Sequence, residues 1–176
     1  MIGAAEGVTR PEGHCVADVE IDHLCRHVHL TRAVARLICN EFWKDRDGMT
    51  EADLVAHLEN ACDPDRIPLS LIALHDGELA GTVNLIDNDD RNRTHLHPWL
   101  AAMVVVERFR GQGIGTRLVQ SLLREAKRLG FATVHFGTDG PAFYTRLGAQ
   151  LHEQVTDAFC IMQFHLGNRP PERPPS

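Results

Sequence analysis

Seven consecutive residues, Arg110, Gly111, Gln112, Gly113, Ile114, Gly115 and Thr116, have types and spacing suited to holding an anion. The apolar, β-branched run Leu100–Val106 precedes them. Behind them, apolar residues recur at 118, 119, 122, 123, 126 and 129, which is one face of a helix. The unit therefore reads as strand, glycine-rich turn, helix. Glycine lets a backbone come close to a ligand, and a helix start leaves N–H groups without intrahelical partners. Together with the helix dipole these N–H groups favour phosphate oxygens. A P-loop is excluded, because no Gly-Lys pair occurs in the chain. A Rossmann fingerprint fails in both registers, since its third glycine falls on Thr116 or on Leu118.

The letters do fit R-x-x-G-x-G, as Arg110, Gly113 and Gly115. Downstream, Ala142–Ala149 contains Phe143, Tyr144, Leu147 and Gly148, separated from the turn by a helix and the strand Thr133–Phe136. In these two motifs and their order the chain resembles the GNAT superfamily of N-acetyltransferases, specifically over 100–149 and as an order of elements over 16–166.

The resemblance implies acetyl-CoA as co-substrate and direct transfer of acetyl to a primary amine of a small molecule or protein. It implies that Arg110, Gly111, Gln112, Gly113, Ile114, Gly115 and Thr116 wrap the pyrophosphate. Met103, Val104 and Val105 align with positions whose backbone pairs with the pantetheine arm. A bulge in that strand would supply an oxyanion-stabilising N–H. Tyr144, the single tyrosine, stands at the general-acid position for the leaving thiolate, while Phe143 reads as core. The segment 100–106 has no carboxylate to serve as base, and Glu107 lies where the turn begins. Asp139, His135, Asp87 and Glu41 are the candidates, each equally readable as a surface group or turn cap. Trp43, Trp99 and Asp87 are candidates for the acceptor site, the tryptophans also being readable as core. A non-catalytic CoA-binding module of the same fold is the alternative. A nucleotide-binding α/β protein and a transferase of longer acyl groups are the other rivals.

The elements that must position these groups can be read along the chain. Val16–Ile21 alternates as a half-buried strand. Asp22 is placed to cap a helix carrying Leu24, Val28, Val34, Leu37 and Ile38 and running to about Phe42 and Trp43. After a turn at 45–48, Thr50 and Asp53 form a capping signal for a helix to about Ala61. Asp76-Gly77 joins two strands, 69–74 and 79–86, as a hairpin. Gly130 and Gly148 close the two later helices, and two last strands cover 151–155 and 159–166. The expected fold is α/β: a three-layer domain over 16–166 with a mixed, mostly antiparallel sheet of six or seven strands. Residues 1–15 read as a flexible lead-in and 167–176 as a disordered, proline-rich tail.

Composition sets outer bounds. A net charge of −6 gives no support for nucleic-acid binding, and no apolar run approaches the ~18 residues of a membrane span. The N-terminus lacks the pattern of a secretion signal. Five scattered cysteines without C-x-x-C fit free thiols and a cytoplasmic protein. His23 with His27, and His95 with His97, are spaced as metal pairs, but no third ligand accompanies them and no metal is expected. Homodimerisation is compatible with such a fold.

Overall fold

The computed structural model describes residues 18–44 and 48–167. The lead-in 1–15, the start of the first expected strand, most of the 45–48 turn and the tail from 168 lie outside the described residues. Seven strands form one sheet: β1 (Val19–His23), β2 (Leu69–His75), β3 (Glu78–Ile86), β4 (Trp99–Val105), β5 (Thr133–Thr138), β6 (Gln150–Thr156) and β7 (Phe159–His165). Their order is β1-β2-β3-β4-β5-β7-β6. Every neighbouring pair is antiparallel except β4 and β5. This is the mixed three-layer α/β fold expected.

The helices are α1 (Thr31–Phe42), α2 (Glu51–Glu59), α3 (Ile114–Arg128) and α4 (Pro141–Arg146). Strand β2 shows why there are three layers. Leu69, Leu71 and Ala73 join the α3 residues Leu118, Val119 and Leu122 in one core, while Ile72 and Leu74 join Val34, Ile38, Leu54 and Leu58 of α1 and α2 in another. Alternate side chains leave a strand on opposite faces, so a strand apolar throughout needs cover on both. Strand β6 is the opposite case: all seven residues are exposed.

Short-range signals became the expected structures. Asp76 and Gly77 both have positive φ (49° and 82°), the form a two-residue hairpin loop takes. Asp53 N–H donates to Thr50 Oγ1 at 3.2 Å and Thr50 N–H to the Asp53 carboxylate at 2.9 Å, a reciprocal capping box. Phe131 N–H reaches Ala126 O and Ala149 N–H reaches Tyr144 O, both at 3.0 Å, closing α3 and α4 as Schellman turns around Gly130 and Gly148.

The first helix differs from expectation. Strand β1 continues through Asp22 to His23, which pairs with Leu71, and two 3-10 turns (Leu24–Arg26 and Val28–Leu30) delay α1 to Thr31. Asp22 caps nothing. Its carboxylate accepts from His23 N–H at 2.8 Å and Arg26 at 2.6 Å and bonds His27 at 2.9 Å. Pairing with β2 outweighs the local capping preference, and Val28, expected on a buried face, is 70% exposed.

Leu118 is fully buried between α3 and the sheet. Leu118→Ala is expected to lower unfolding free energy by about 2–5 kcal/mol, read from urea denaturation. A loss under 1 kcal/mol would mean that the α3 layer is not closely packed.

Candidate active site

The site begins where the sheet comes apart. Strands β4 and β5 pair at one position, Trp99 with His135, where His135 N–H donates to Pro98 O at 2.9 Å. Beyond it the two strands diverge. On its other edge β4 pairs with β3, Ala101 opposite Asn84 and Val104 opposite Thr82. Two residues, Ala102 and Met103, thus stand against the single Val83: a bulge, with Ala102 at φ 48°. Val106 N–H donates back to Ala80 O at 2.9 Å. By strand alternation the N–H and C=O of Met103 and Val105 then point away from β3, into the gap. Arg110 Nε donates to Val105 O at 2.9 Å, in keeping with that direction. Buried backbone groups need partners, so this gap suits a ligand with amides of its own.

The glycine turn lies at the open end of the gap. A 3-10 turn (Glu107–Phe109) leads into Arg110, then Gly111 (φ 77°) and Gly113 (φ 78°), and Ile114 opens α3. A side chain at either glycine would meet open space, so it is the left-handed backbone that asks for glycine there. The first helical donor is Arg117 N–H to Gly113 O at 3.1 Å, and α3 has neither a side-chain cap nor an acidic residue in its first turn. The N–H groups of Ile114, Gly115 and Thr116 are left for an anion.

A cleft of about 430 Å³ covers both features. All the residues expected at the cofactor line it except Gln112, whose side chain turns back to Arg108 O at 3.4 Å. Three further residues line it. Phe109 is one. Glu41, a base candidate, is another, and it is paired with Arg110 at 3.1 Å. Phe143 is the third: expected as core, it is half-buried and lies beside Gly115.

Tyr144 stands directly behind this wall, its ring 4.9 Å from that of the cleft-lining Phe143 and 4.4 Å from Phe136 on β5. Burial, then the nearby Asp139 charge, pushes the phenol up to about 12. It is therefore firmly protonated at neutral pH. Its pKa lies further above a thiol's ~8.5 than an ordinary phenol's, so passing its proton outright to a free thiolate is uphill.

The remaining candidates scatter. Asp139 is exposed on the turn before α4 and lines neither this cleft nor the second cavity described next. His135 is buried in β5, held below its ordinary pKa by burial and by His152, with its Nδ1 unpartnered among the described residues. Trp99 is no cleft wall: at 2% exposure it packs with Leu96 and Ile161, donating to Leu96 O at 2.6 Å. Trp43 packs half-buried against the α1–α2 core, close under Gly48, and lines neither cavity. Asp87 lies 3.5 Å from His97 on a second cavity of about 390 Å³ beside α2. His23 pairs with Glu125 at 3.3 Å and His27 with Asp22.

A model of the acetyltransferase (GNAT) family matches residues 35–149. The chain belongs to the GNAT acetyltransferase family. It is an acetyl-CoA-dependent N-acetyltransferase. A Schizosaccharomyces pombe relative, N-alpha-acetyltransferase 30, is 30% identical over 102 residues, 51% of this chain and 67% of the relative. Among solved structures, an aminoglycoside 6'-N-acetyltransferase complexed with coenzyme A superposes with a TM-score of 0.68 at 21% identity, covering 86% of this chain and 99% of that one. The yncA protein of Salmonella typhimurium, with its cofactor acetyl-CoA, gives 0.66 at 18% identity, covering 86% and 95%. These two likenesses concern the fold. No helix of the described residues is long and apolar enough to cross a membrane.

Sequence reasoning missed Asn84 and Ala102 in this GNAT protein. A polar residue inside the apolar run 79–86 was a usable signal for Asn84. Nothing in an alanine announces a positive φ.

Tyr144 is the single tyrosine, so tyrosinate absorbance reports on it alone. The midpoint is expected near 12 rather than the free value of ~10. Because the folded state holds this proton longer, its contribution is complete below pH ~10 and is lost as pH rises toward 12. A midpoint near 10 would show that the phenol is not buried.

Proposed function

We propose that the cleft holds acetyl-CoA along β4, with the pyrophosphate at the glycine turn and the thioester at the bulge. The observation that carries this reading is the coincidence of two sets of backbone groups in one cleft: the helix-start donors of Ile114–Thr116, and the outward N–H and C=O of Met103 with the N–H of Val105, whose C=O is already taken by Arg110. Arg110 adds positive charge beside the turn. Val104, whose backbone pairs with β3, contributes its side chain to the core and the cleft wall. The thioester oxygen would take an N–H at the Ala102–Met103 bulge as it becomes an oxyanion.

The acceptor amine attacks the thioester carbon. A C–N bond forms, the C–S bond breaks, the nitrogen loses a proton and the sulfur gains one. Tyr144 donates a hydrogen bond to the departing sulfur. Its high pKa suits it to sharing a proton while the nitrogen releases its own, rather than to surrendering one early. No base is assigned: Glu41 is tied to Arg110, and Asp139 and His135 lie outside the cleft. The acceptor is a primary amine of a small molecule or protein.

Cytoplasmic residence belongs to this reading, supported by Cys25, Cys39, Cys62 and Cys160 all being free thiols. A homodimer is compatible with the exposed β6 edge.

Calorimetry is expected to show tight acetyl-CoA binding and weak ADP binding. Tyr144→Phe is expected to lower kcat about 100-fold with acetyl-CoA Kd unchanged, measured by thiol release. Unchanged kcat would remove Tyr144 from the mechanism.

A further inference from the structure

The second cavity sits next to the bulge. Asn84 lines it, is paired in register with Ala101, and donates its Nδ2 to Ala101 O at 3.5 Å. Ala101 directly precedes the positive-φ Ala102. Both cavities lie along α1: Glu41 lines the first, and Ile38, one turn back, lines the second. A molecule in the second cavity would therefore meet the bulge at the Asn84–Ala101 pair.

Its walls are selective. Ile38, Met49, Leu54, Leu58 and Ile86 make most of its wall apolar; of its polar lining residues, His57 and Asn60 are exposed, and the Asn88 amide is spent on Arg93 O, Leu96 O and Asp90 N–H. Asp87 is its one lining carboxylate, 80% exposed at the rim and 3.5 Å from His97. Asn84 is 7% exposed and uncharged, and its Oδ1 accepts no hydrogen bond from the described residues. An ammonium among leucines and isoleucines loses its hydration without repayment. A hydrocarbon there gains by leaving water. A polycation would need several carboxylates, and one at the rim serves one charge.

Resting on the transferase reading above, we infer that the acceptor is a primary monoamine on an apolar or aromatic body. The body fills this cavity, and the amine N–H is received by Asn84 Oδ1 at the β4 bulge. The chemistry that selects is apolar burial with a single polar anchor, which disfavours polyamines and aminoglycosides.

The experiment is steady-state thiol release by the full chain at saturating acetyl-CoA. Phenethylamine and hexylamine are compared with spermidine and kanamycin, and acetyl-CoA Kd is measured in parallel. The monoamines are expected to show kcat/KM at least tenfold higher. Met49→Glu, at a half-buried wall position, is expected to raise KM for the monoamines about tenfold with acetyl-CoA Kd unchanged, and Met49→Leu to restore it. Equal or better use of spermidine or kanamycin, or a Met49→Glu protein with native KM, overturns this inference while leaving the transferase reading standing. Failure to bind acetyl-CoA overturns both.

Discussion

The parting of β4 from β5 is the constraint on which the rest of this structure depends. A parallel pair normally satisfies each strand's backbone along its length. Here it does so at Trp99 and His135 and nowhere further along. The remainder of β4 keeps only one partner, β3, and presents its other edge to a cleft. An exposed backbone edge is costly unless something fills it. In the proposed function the filler is acetyl-CoA rather than another strand.

Holding such a gap open takes rigid walls and a firm pivot. Trp99 is that pivot. Its indole is sunk against Leu96 and Ile161 and fixed by the bond to Leu96 O. On the far side β5 is fully paired with β7, Thr133 to Thr138 against His165 to Cys160. On the near side β4 is clamped between two cores, Leu100 packing toward α3 and Val104 toward α1 and α2. Neither half can swing into the gap without breaking one of these contacts. The bulge at Ala102 and Met103 adds a local turn of backbone, with Ala102 at φ 48°, at the point where the proposed reading puts the thioester.

Electrostatics divide the site into two ends. The glycine turn carries helix-start N–H groups and Arg110, in a chain whose net charge is −6. Arg110 is engaged by Glu41 across the cleft mouth, both side chains about half exposed. Such a pair is worth at most about 1 kcal/mol, little enough for a pyrophosphate to compete for the same guanidinium. Charge thus concentrates at the end where phosphates belong. The other end, at the bulge, is neutral and apolar, with the Asn84 cavity beside it.

What could be read from the residues alone was whatever is decided within a few positions along the chain. The glycine turn, the Asp76-Gly77 hairpin, the Thr50 capping box and the glycine-closed helices all formed as their letters indicate. Each depends on φ preferences and hydrogen bonds between near neighbours, and residue type largely settles those. The nearly continuous apolar run of β2 likewise carries a signal for cover on both faces. Other outcomes needed the whole fold. Asp22 looks like a cap until β2 offers its neighbours a strand to join. Trp99 looks like a cleft wall until the β5–β7 layer closes over it. Phe143 looks like core alone until α4 docks beside the turn and brings its ring next to Gly115 in the cleft. The gap itself is an absence of pairing between strands 36 residues apart at their single bridge, Trp99 and His135. Its width follows from how two cores pack on either side of β4, a balance of long-range contacts that only tertiary structure can set.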